Sequence, residues 1–156
     1  EKQVFLANPD MQPELDNKSY VVLRQLKPSA RFDIIHELRE LGVVPTSMID
    51  SSDGLAAEIL HLCEASGTGA RIFEKNIPID DETYLAATEF NLSPLTAALN
   101  GGEDYELVFT VSQSDFEKVE KIADVTAIGY MTDLKNEKVM VMKSDQIVNL
   151  TAPGFN

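Results

Sequence analysis

The residues best suited to chemistry lie in a short acidic segment, residues 49–55, with the sequence Ile-Asp-Ser-Ser-Asp-Gly-Leu. Asp50 directly follows a predicted strand, and Asp53 comes three residues later, where a helix is predicted to begin. Two carboxylates placed in this way can point into one space, and Mg²⁺ usually takes one or two carboxylates together with water and phosphate oxygens. The commoner reason for such residues is structural: Asp53 would cap the helix, and Asp50 and the serines would serve the turn.

A second acidic segment, residues 101–107, has the sequence Gly-Gly-Glu-Asp-Tyr-Glu-Leu. Gly101 and Gly102 permit a ligand to approach the backbone closely. Carboxylates are unusual at the start of a strand, because Asp and Glu are poor strand formers. The alternative is a glycine turn with a solvated acidic edge. The residues alone therefore predict two loops that could hold magnesium and a phosphorylated ligand.

Other familiar catalytic motifs are missing from the sequence. It contains neither a Gly-x-x-x-x-Gly-Lys-Ser/Thr phosphate loop nor a Gly-x-Ser-x-Gly nucleophile elbow. Cys63 is the single cysteine, which excludes an internal disulfide and a multi-cysteine zinc site. We predict that Cys63 is a small core residue and that His61 is exposed or partly packed.

The charge balance limits the class of partner. The 156 residues carry 26 acidic and 13 basic side chains, a formal net charge of -13. No segment concentrates Lys and Arg, which argues against a dedicated nucleic-acid or anionic-membrane binder. The apolar runs are far shorter than the roughly 20 residues that span a bilayer, and no signal peptide is recognisable, so we predict a cytoplasmic protein. The chain starts with Glu1, not Met, and we expect it to be part of a longer protein.

The elements that would position the two segments are an alternating series of helices and strands. Helices are predicted where apolar residues recur at helical spacing, or where a capping residue precedes proline or acidic residues. They cover residues 29–41, 55–66 and 112–122, with two more starting near residues 80 and 93. Strands are predicted at residues 43–49, 70–73, 105–111, 125–131 and 138–143. The last two are joined by a polar turn and are predicted to pair antiparallel.

This order of elements predicts the fold class and the extent of the domain. We expect an α+β domain with a mixed, largely antiparallel sheet and helices packed on it. We place that domain at residues 29–156. Residues 1–28 are rich in turn-forming residues and are predicted to be a linker or lead-in, with one short strand at residues 20–23.

Taken together, the two acidic segments resemble the signature of the thiamine-monophosphate kinase family, in its C-terminal domain. That domain belongs to the aminoimidazole ribonucleotide synthetase superfamily. The segments lie about fifty residues apart and in the family's order, and Gly129 in an Ala-Ile-Gly strand adds to the match. The resemblance extends from roughly residue 31 to the Pro-Gly-Phe sequence at residues 153–155.

The resemblance implies a reaction and a set of site residues. Enzymes of this family transfer the γ-phosphoryl group of ATP to thiamine monophosphate with magnesium, giving thiamine diphosphate and ADP. By matching position, Asp50 and Asp53 would bind magnesium and Ser52 would contact ATP. Glu103 would contact the thiamine substrate, and Phe155 would pack against it. Transfer between phosphates gathers many negative charges, so acidic side chains fit there if they hold cations that bridge the phosphates.

The chain departs from the family pattern in two ways. Asn100 precedes the glycine pair where many relatives have Thr or Ser, and we expect this to be tolerated because Asn also suits a turn. The family's N-terminal domain, which supplies most metal-binding aspartates, much of the ATP site and the usual homodimer interface, has no counterpart in this sequence. We therefore expect residues 1–28 to lead in from that domain, and this chain alone to have little or no kinase activity.

Two other functions stay open. One is a sister ATP-using enzyme of the superfamily, such as aminoimidazole ribonucleotide synthetase, selenide water dikinase or the hydrogenase-maturation protein. The acidic run after the glycine pair argues against these, because it is associated with the thiamine branch. The other is a non-catalytic domain that keeps the fold and binds a ligand or a partner.

Overall fold

The computed structural model describes residues 18–103 and 105–154, and its elements alternate much as the sequence predicts. The helices are α1 (Ser19–Leu26), α2 (Phe32–Glu40), α3 (Leu55–Ser66), α4 (Asp81–Glu89), α5 (Pro94–Asn100) and α6 (Phe116–Val119). The strands are β1 (Ser47–Asp50), β2 (Gly69–Phe73), β3 (Leu107–Thr110), β4 (Gly129–Thr132), β5 (Lys138–Val141) and β6 (Ile147–Asn149). The predicted α+β class, with helices packed on mixed and antiparallel sheets, is confirmed.

The starts of two helices follow the capping signals in the sequence. The Asp80 carboxylate accepts a hydrogen bond from the Glu82 N–H at 2.8 Å at the start of α4. The Ser93 hydroxyl accepts one from the Thr96 N–H at 3.3 Å at the start of α5. Both bonds satisfy backbone donors that a helix leaves unpaired in its first turn. None of the helices in the described part of the chain is long and apolar enough to cross a membrane.

The strands form two sheets. β1 and β3 pair antiparallel as one sheet, with Asp50 opposite Leu107. The other sheet has the strand order β4-β2-β5-β6. In it β2 is parallel to β5 and antiparallel to β4, and β5 is antiparallel to β6. Pairing is therefore mixed but largely antiparallel, as predicted.

The predicted antiparallel pairing of β4 with β5 is wrong, because β2 lies between them. Their connection, residues 133–137, passes over the start of β2 at Gly69. A Cβ at Gly69 would lie 2.2 Å from the carbonyl oxygen of Leu134 and 2.5 Å from that of Glu137. The Ala70 N–H donates to the Glu137 oxygen at 2.7 Å, which fixes the crossing. A short polar turn signals a hairpin only when no third strand competes for the same edge, and the apolar β2 does compete.

Four of the predicted strands and two of the predicted helices are shorter in the structure than their apolar patterns. β1 and β3 span four residues each, because they pair with each other and end where the ladder ends. The helix predicted at residues 112–122 is reduced to the single turn of α6. β6 was not predicted; with three residues it is too short to show a period, and it forms because β5 offers it an edge.

Two apolar clusters hold the elements together. The larger one joins α3 to the four-stranded sheet and α5, and it includes Ala56, Ile59, Leu60, Cys63, Ala70, Ile72, Leu99 and Met140. The smaller one packs α2 and α6 on the two-stranded sheet, and it consists of Ile34, Leu38, Val43, Val119 and Ile122. Cys63 is 1% exposed, so its predicted core position is confirmed, and His61 is exposed. Each buried Leu or Ile contributes about 1.5–3 kcal/mol, so α3 is anchored firmly.

The short strand predicted at residues 20–23 is wrong, because these residues lie within α1. This helix rests on α4: the Lys18 Nζ pairs with Glu89 at 3.0 Å, and the Tyr20 N–H donates to a Glu82 oxygen at 3.1 Å. A short apolar run fits a strand or a helix equally well by periodicity, and here packing decides. α1 precedes the predicted start of the domain but contacts it; the domain boundary itself stays a prediction.

Candidate functional site

The first acidic segment forms a tight loop between β1 and α3. Asp50 is the last residue of β1 and is paired across the sheet with Leu107. Asp50, Ser52 and Asp53 are exposed, whereas Ser51 is 4% exposed. The ladder therefore holds the backbone of Asp50 while the residue stays open to solvent.

The second acidic segment lies directly against the first. The Glu103 N–H donates to the Ser52 carbonyl oxygen at 3.0 Å, and the Tyr105 N–H donates to that of Ser51 at 3.0 Å. The Ser51 N–H in turn donates to the Glu106 carbonyl oxygen at 2.7 Å. These bonds extend the β1–β3 pairing beyond the strands. Two segments far apart in sequence thus form one site.

Gly102 permits the close contact between the two loops. A Cβ at this position would lie 2.2 Å from the Ser52 carbonyl oxygen, far inside van der Waals contact. The neighbouring residues Glu103 and Tyr105 have φ angles of 67° and 54°, a left-handed conformation that is uncommon outside glycine. Backbone strain of this kind is typical of ligand-binding loops, where the surrounding structure enforces it.

A buried carboxylate of α3 supports the first loop from inside. Glu58 is 1% exposed. Its Oε1 accepts hydrogen bonds from the Ser52 N–H at 3.1 Å, the Asp53 N–H at 3.0 Å and the Ser52 hydroxyl at 3.3 Å. Sequence reasoning missed Glu58. The available signal was a glutamate inside the apolar run Leu-Ala-Ala-Glu-Ile-Leu, since a carboxylate on a buried helix face requires polar partners.

The structural role considered for Asp53 is wrong, because Asp53 does not cap α3. The N-cap residue is Gly54, and no side chain accepts a hydrogen bond there. Neither the Asp50 nor the Asp53 carboxylate is hydrogen-bonded or ion-paired to another described residue. No described residue therefore occupies either carboxylate, and a ligand can reach both.

The donor set fits a magnesium ion in part. Within residues 18–103 and 105–154, no group of three or more His, Cys, Asp or Glu side chains could hold a metal. Mg²⁺ commonly binds through one or two carboxylates and takes its other ligands from water and phosphate. Asp50 and Asp53 match that pattern, so this loop suits an ion that also binds a phosphorylated substrate.

The carboxylates of the second segment are held by residues from α1 and from the turn before α2. Arg24 pairs with Glu106, and Arg31 Nη1 pairs with the other Glu106 oxygen at 2.6 Å. The Gln25 side chain donates to Glu103 Oε2 at 3.0 Å. α1 therefore covers one side of the site, a contact that the sequence did not predict.

The structure brings together most of the predicted site residues. Asp50, Ser52 and Asp53 lie in one loop, and Glu103 lies in the loop hydrogen-bonded to it. Phe155 lies outside the described residues, as does Asp104 of the second segment. The roles of all these residues stay predictions.

A groove of about 430 Å³ adjoins this site. Its surface is mostly apolar, with polar groups from Asp50 and Arg31; the lining residues are Pro28, Ala30, Arg31, Phe32, Ile35, Asp50, Tyr105 and Leu107. Pockets for small molecules typically measure about 300–1,000 Å³. An acidic loop and an apolar surface thus lie side by side, an arrangement suited to a ligand with a phosphate at one end and a ring at the other.

The pKa of Asp33 should report on the ion pairs beside the groove. Hydrogen bonds from the Arg31 guanidinium, the shortest at 2.9 Å, hold the pKa of this carboxyl below its ordinary value. A group with a depressed folded-state pKa contributes stability above its unfolded pKa and loses it as pH falls through the folded one. In an NMR titration we expect Arg31→Gln to raise the Asp33 midpoint toward the ordinary range. An unchanged midpoint would contradict this assignment.

The fold and the paired loops define a class of protein. The chain belongs to the family described as AIR synthase related protein, C-terminal domain, whose model matches residues 12–142. The chain has sequence relatives in several organisms, and these relatives are named thiamine-monophosphate kinase.

Two of these relatives show how much of the enzyme the chain covers. The Buchnera aphidicola (subsp. Schizaphis graminum) kinase is 32% identical over an alignment of 162 positions, which covers 100% of this chain and 46% of the kinase. The Escherichia coli K12 kinase is 41% identical over 112 residues, which is 70% of this chain and 32% of the kinase. The chain thus spans less than half the length of these relatives. The predicted resemblance to the C-terminal part of this family is confirmed.

Solved structures agree with the sequence relatives. The crystal structure of thiamine monophosphate kinase from Aquifex aeolicus has a TM-score of 0.72 and 25% identity, covering 96% of this chain and 47% of that one. A structure of AaThiL complexed with AMPPCP and TMP has a TM-score of 0.70 and 26% identity, with coverages of 93% and 43%. E. coli HypE, a hydrogenase maturation protein, has a TM-score of 0.65 at 19% identity, with coverages of 80% and 40%, and shares the fold alone.

Proposed function

We propose that this chain is the C-terminal part of a thiamine-monophosphate kinase. The full-length enzyme would transfer the γ-phosphoryl group of ATP to thiamine monophosphate, giving thiamine diphosphate and ADP. The observation that carries the proposal is the joining of the two acidic loops by hydrogen bonds from Glu103 and Tyr105 to the carbonyls of Ser52 and Ser51. Kinase relatives at 32% and 41% identity support it, as does the relative complexed with AMPPCP and TMP.

In this proposal the loop after β1 binds the metal and the nucleotide. Asp50 and Asp53 hold Mg²⁺, and the Ser52 hydroxyl contacts ATP. The exposure of all three residues and the lack of other described partners for the two carboxylates support this assignment. The bound ion would supply positive charge that neutralises the phosphates during transfer.

The second loop and the groove serve the thiamine end of the acceptor. The Glu103 carboxylate suits the cationic ring of thiamine, and Phe155 packs against that end. The apolar groove beside Asp50 offers a surface for the uncharged part of the molecule. Phosphoryl transfer depends on positioning and on charge stabilisation more than on covalent help from the protein. This chain therefore needs no activated nucleophile, because the acceptor is the phosphate of thiamine monophosphate.

The rest of the enzyme supplies what this chain lacks. In our proposal an N-terminal domain contributes further metal-binding aspartates, much of the ATP site and the homodimer interface, and the enzyme is cytoplasmic. The excess of 26 acidic over 13 basic side chains fits this division. An acidic chain meets anionic ATP through metal ions, and additional phosphate-binding groups come from the other domain.

The proposal is tested with the full-length protein in an assay for ADP release, with chromatography of the thiamine products. We expect thiamine diphosphate to form from ATP, Mg²⁺ and thiamine monophosphate, and no turnover of aminoimidazole-type substrates. Turnover of the latter alone would favour a sister enzyme. Turnover of neither would favour a non-catalytic binding domain. The 156-residue chain alone is expected to show little or no activity, and rapid turnover by it would contradict the role given to the N-terminal domain.

A further inference from the structure

We propose that Glu58 is a positioning residue of this site: its buried carboxylate sets the conformation of residues 51–54, which carry Asp53 and directly follow Asp50, the two residues assigned to the metal. The role of Glu58 in catalysis rests on the proposed function. Its effect on the loop conformation does not, because that effect follows from three hydrogen bonds between the loop and one Glu58 oxygen atom.

The loop is held from two sides, and Glu58 provides one of them. The carbonyl oxygens of Ser51 and Ser52 accept hydrogen bonds from the second acidic segment. The N–H groups of Ser52 and Asp53 point the other way and donate to Glu58 Oε1 at 3.1 Å and 3.0 Å. Bonds to a charged acceptor are stronger than those between neutral groups. The peptide planes that precede the Asp53 side chain are therefore fixed at both their donors and their acceptors.

Packing alone does not account for a carboxylate at this position. Glu58 is 1% exposed and is flanked by the buried residues Ala57 and Ile59. No ion pair joins it to a cation of the described residues, and all of its hydrogen-bond donors among them belong to the acidic loop. Burying a carboxylate is costly unless its oxygens are hydrogen-bonded. An apolar residue would serve the core of α3 as well, but it would deprive the Ser52 and Asp53 N–H groups of this acceptor.

Two substitutions separate the positioning role from general stability. Glu58→Ala removes the acceptor, whereas Glu58→Gln keeps an oxygen of the same reach and should restore much of the function. Outer residues that orient metal ligands typically change affinity or activity about 10–100-fold when removed. We therefore expect Glu58→Ala to weaken Mn²⁺ binding at least about tenfold, with Glu58→Gln lying between it and the wild type.

The controls come from the same helix. Glu64→Ala removes an exposed glutamate of α3 and should change neither loop nor metal binding. Leu60→Ala opens a cavity in the core below the helix and should lower the melting temperature without changing Mn²⁺ affinity. If a loss of Mn²⁺ affinity were only a consequence of lower stability, it would appear in Leu60→Ala as well.

The experiment uses the full-length protein and three measurements. Hydrogen exchange reads the protection of the Ser52 and Asp53 amides, EPR titration reads Mn²⁺ affinity in the presence of AMPPCP, and steady-state assays read kcat and KM. In Glu58→Ala we expect loop amides to exchange at least tenfold faster, amides of β5 to be unchanged, and kcat to fall more than the KM for thiamine monophosphate changes.

Each outcome decides the inference. Loop exchange as slow as in the wild type would overturn it, and so would a loosened loop with unchanged Mn²⁺ affinity. If Glu58→Ala does not fold, the same comparison is made with Glu58→Gln, where faster loop exchange with an intact β5 is expected and no change would count against the inference. If the wild-type protein does not phosphorylate thiamine monophosphate, the proposed function fails, while exchange and Mn²⁺ binding still decide the role of Glu58.

Discussion

Replacement of Asp50 by asparagine in the full-length protein is expected to lower kcat for thiamine monophosphate phosphorylation by about 100-fold or more. The side chain keeps its size but loses the charge that we assign to the metal. Loss of a metal interaction worth several kcal/mol corresponds to a rate loss of at least this order. The magnesium concentration needed for half-maximal rate should rise as well. Both quantities come from initial rates measured over a series of magnesium concentrations.

Asp145→Asn is the matched control for this prediction. Asp145 is also exposed, lies in the turn between β5 and β6 and has a φ of 63°, which asparagine tolerates. The Asp145→Asn substitution removes the same charge at a position outside the site, so kcat should stay within twofold of the wild type. Equal activity of the Asp50 and Asp145 variants would rule out a metal role for Asp50.

Gly102→Ala is expected to damage the site and the stability of the domain together. The added Cβ would lie 2.2 Å from the Ser52 carbonyl oxygen, so the two acidic loops must separate. Forced overpacking of this kind costs about 1–3 kcal/mol. For a domain of this size that lowers Tm by roughly 5 °C, measured by calorimetry. Kinase activity should fall more than tenfold, because Ser52 and Glu103 no longer share a hydrogen bond.

Gly42→Ala separates the contact between the loops from the general cost of replacing a glycine. Gly42 ends the α2 region with a φ of 66°, and an added Cβ there meets no atom within 4 Å. Its cost is therefore backbone strain alone, about 1–2 kcal/mol, and activity should be retained. If Gly102→Ala kept wild-type activity, the close approach of the two loops would not be needed for function.

Much of the candidate site could be predicted from residue types alone. Acidic residues beside glycines and serines are conspicuous in a sequence, and both loops were found in this way. Glu58 was not, because a single glutamate in a helix is usually solvated, and two of its three hydrogen bonds come from backbone N–H groups, which leave no sequence signal. The hydrogen bonds of Arg31 and Gln25 to the second segment were missed for a related reason: they join residues more than seventy positions apart.

The fold, like the site, could be predicted from the sequence only in part. The helix that begins after Ser93, the apolar face of α3 and the strand before Asp50 follow from local patterns, since caps and periodicity act within a few residues. The insertion of β2 between β4 and β5 does not follow from them. Strand order depends on which edges compete for partners, and that competition involves the whole sheet.

The amino-acid sequence alone was enough to predict the acidic, glycine-flanked loops, the α+β class and the resemblance to a phosphate-transferring family. Those features rest on residue types and short spacings, which are present in the chain before it folds. The three-dimensional structure was needed to show that the loops are hydrogen-bonded to each other, that Glu58 supports the first from within, and that α1 contacts the second. Each of these contacts joins backbone or side-chain groups whose partners are chosen by packing, so no local pattern could specify them.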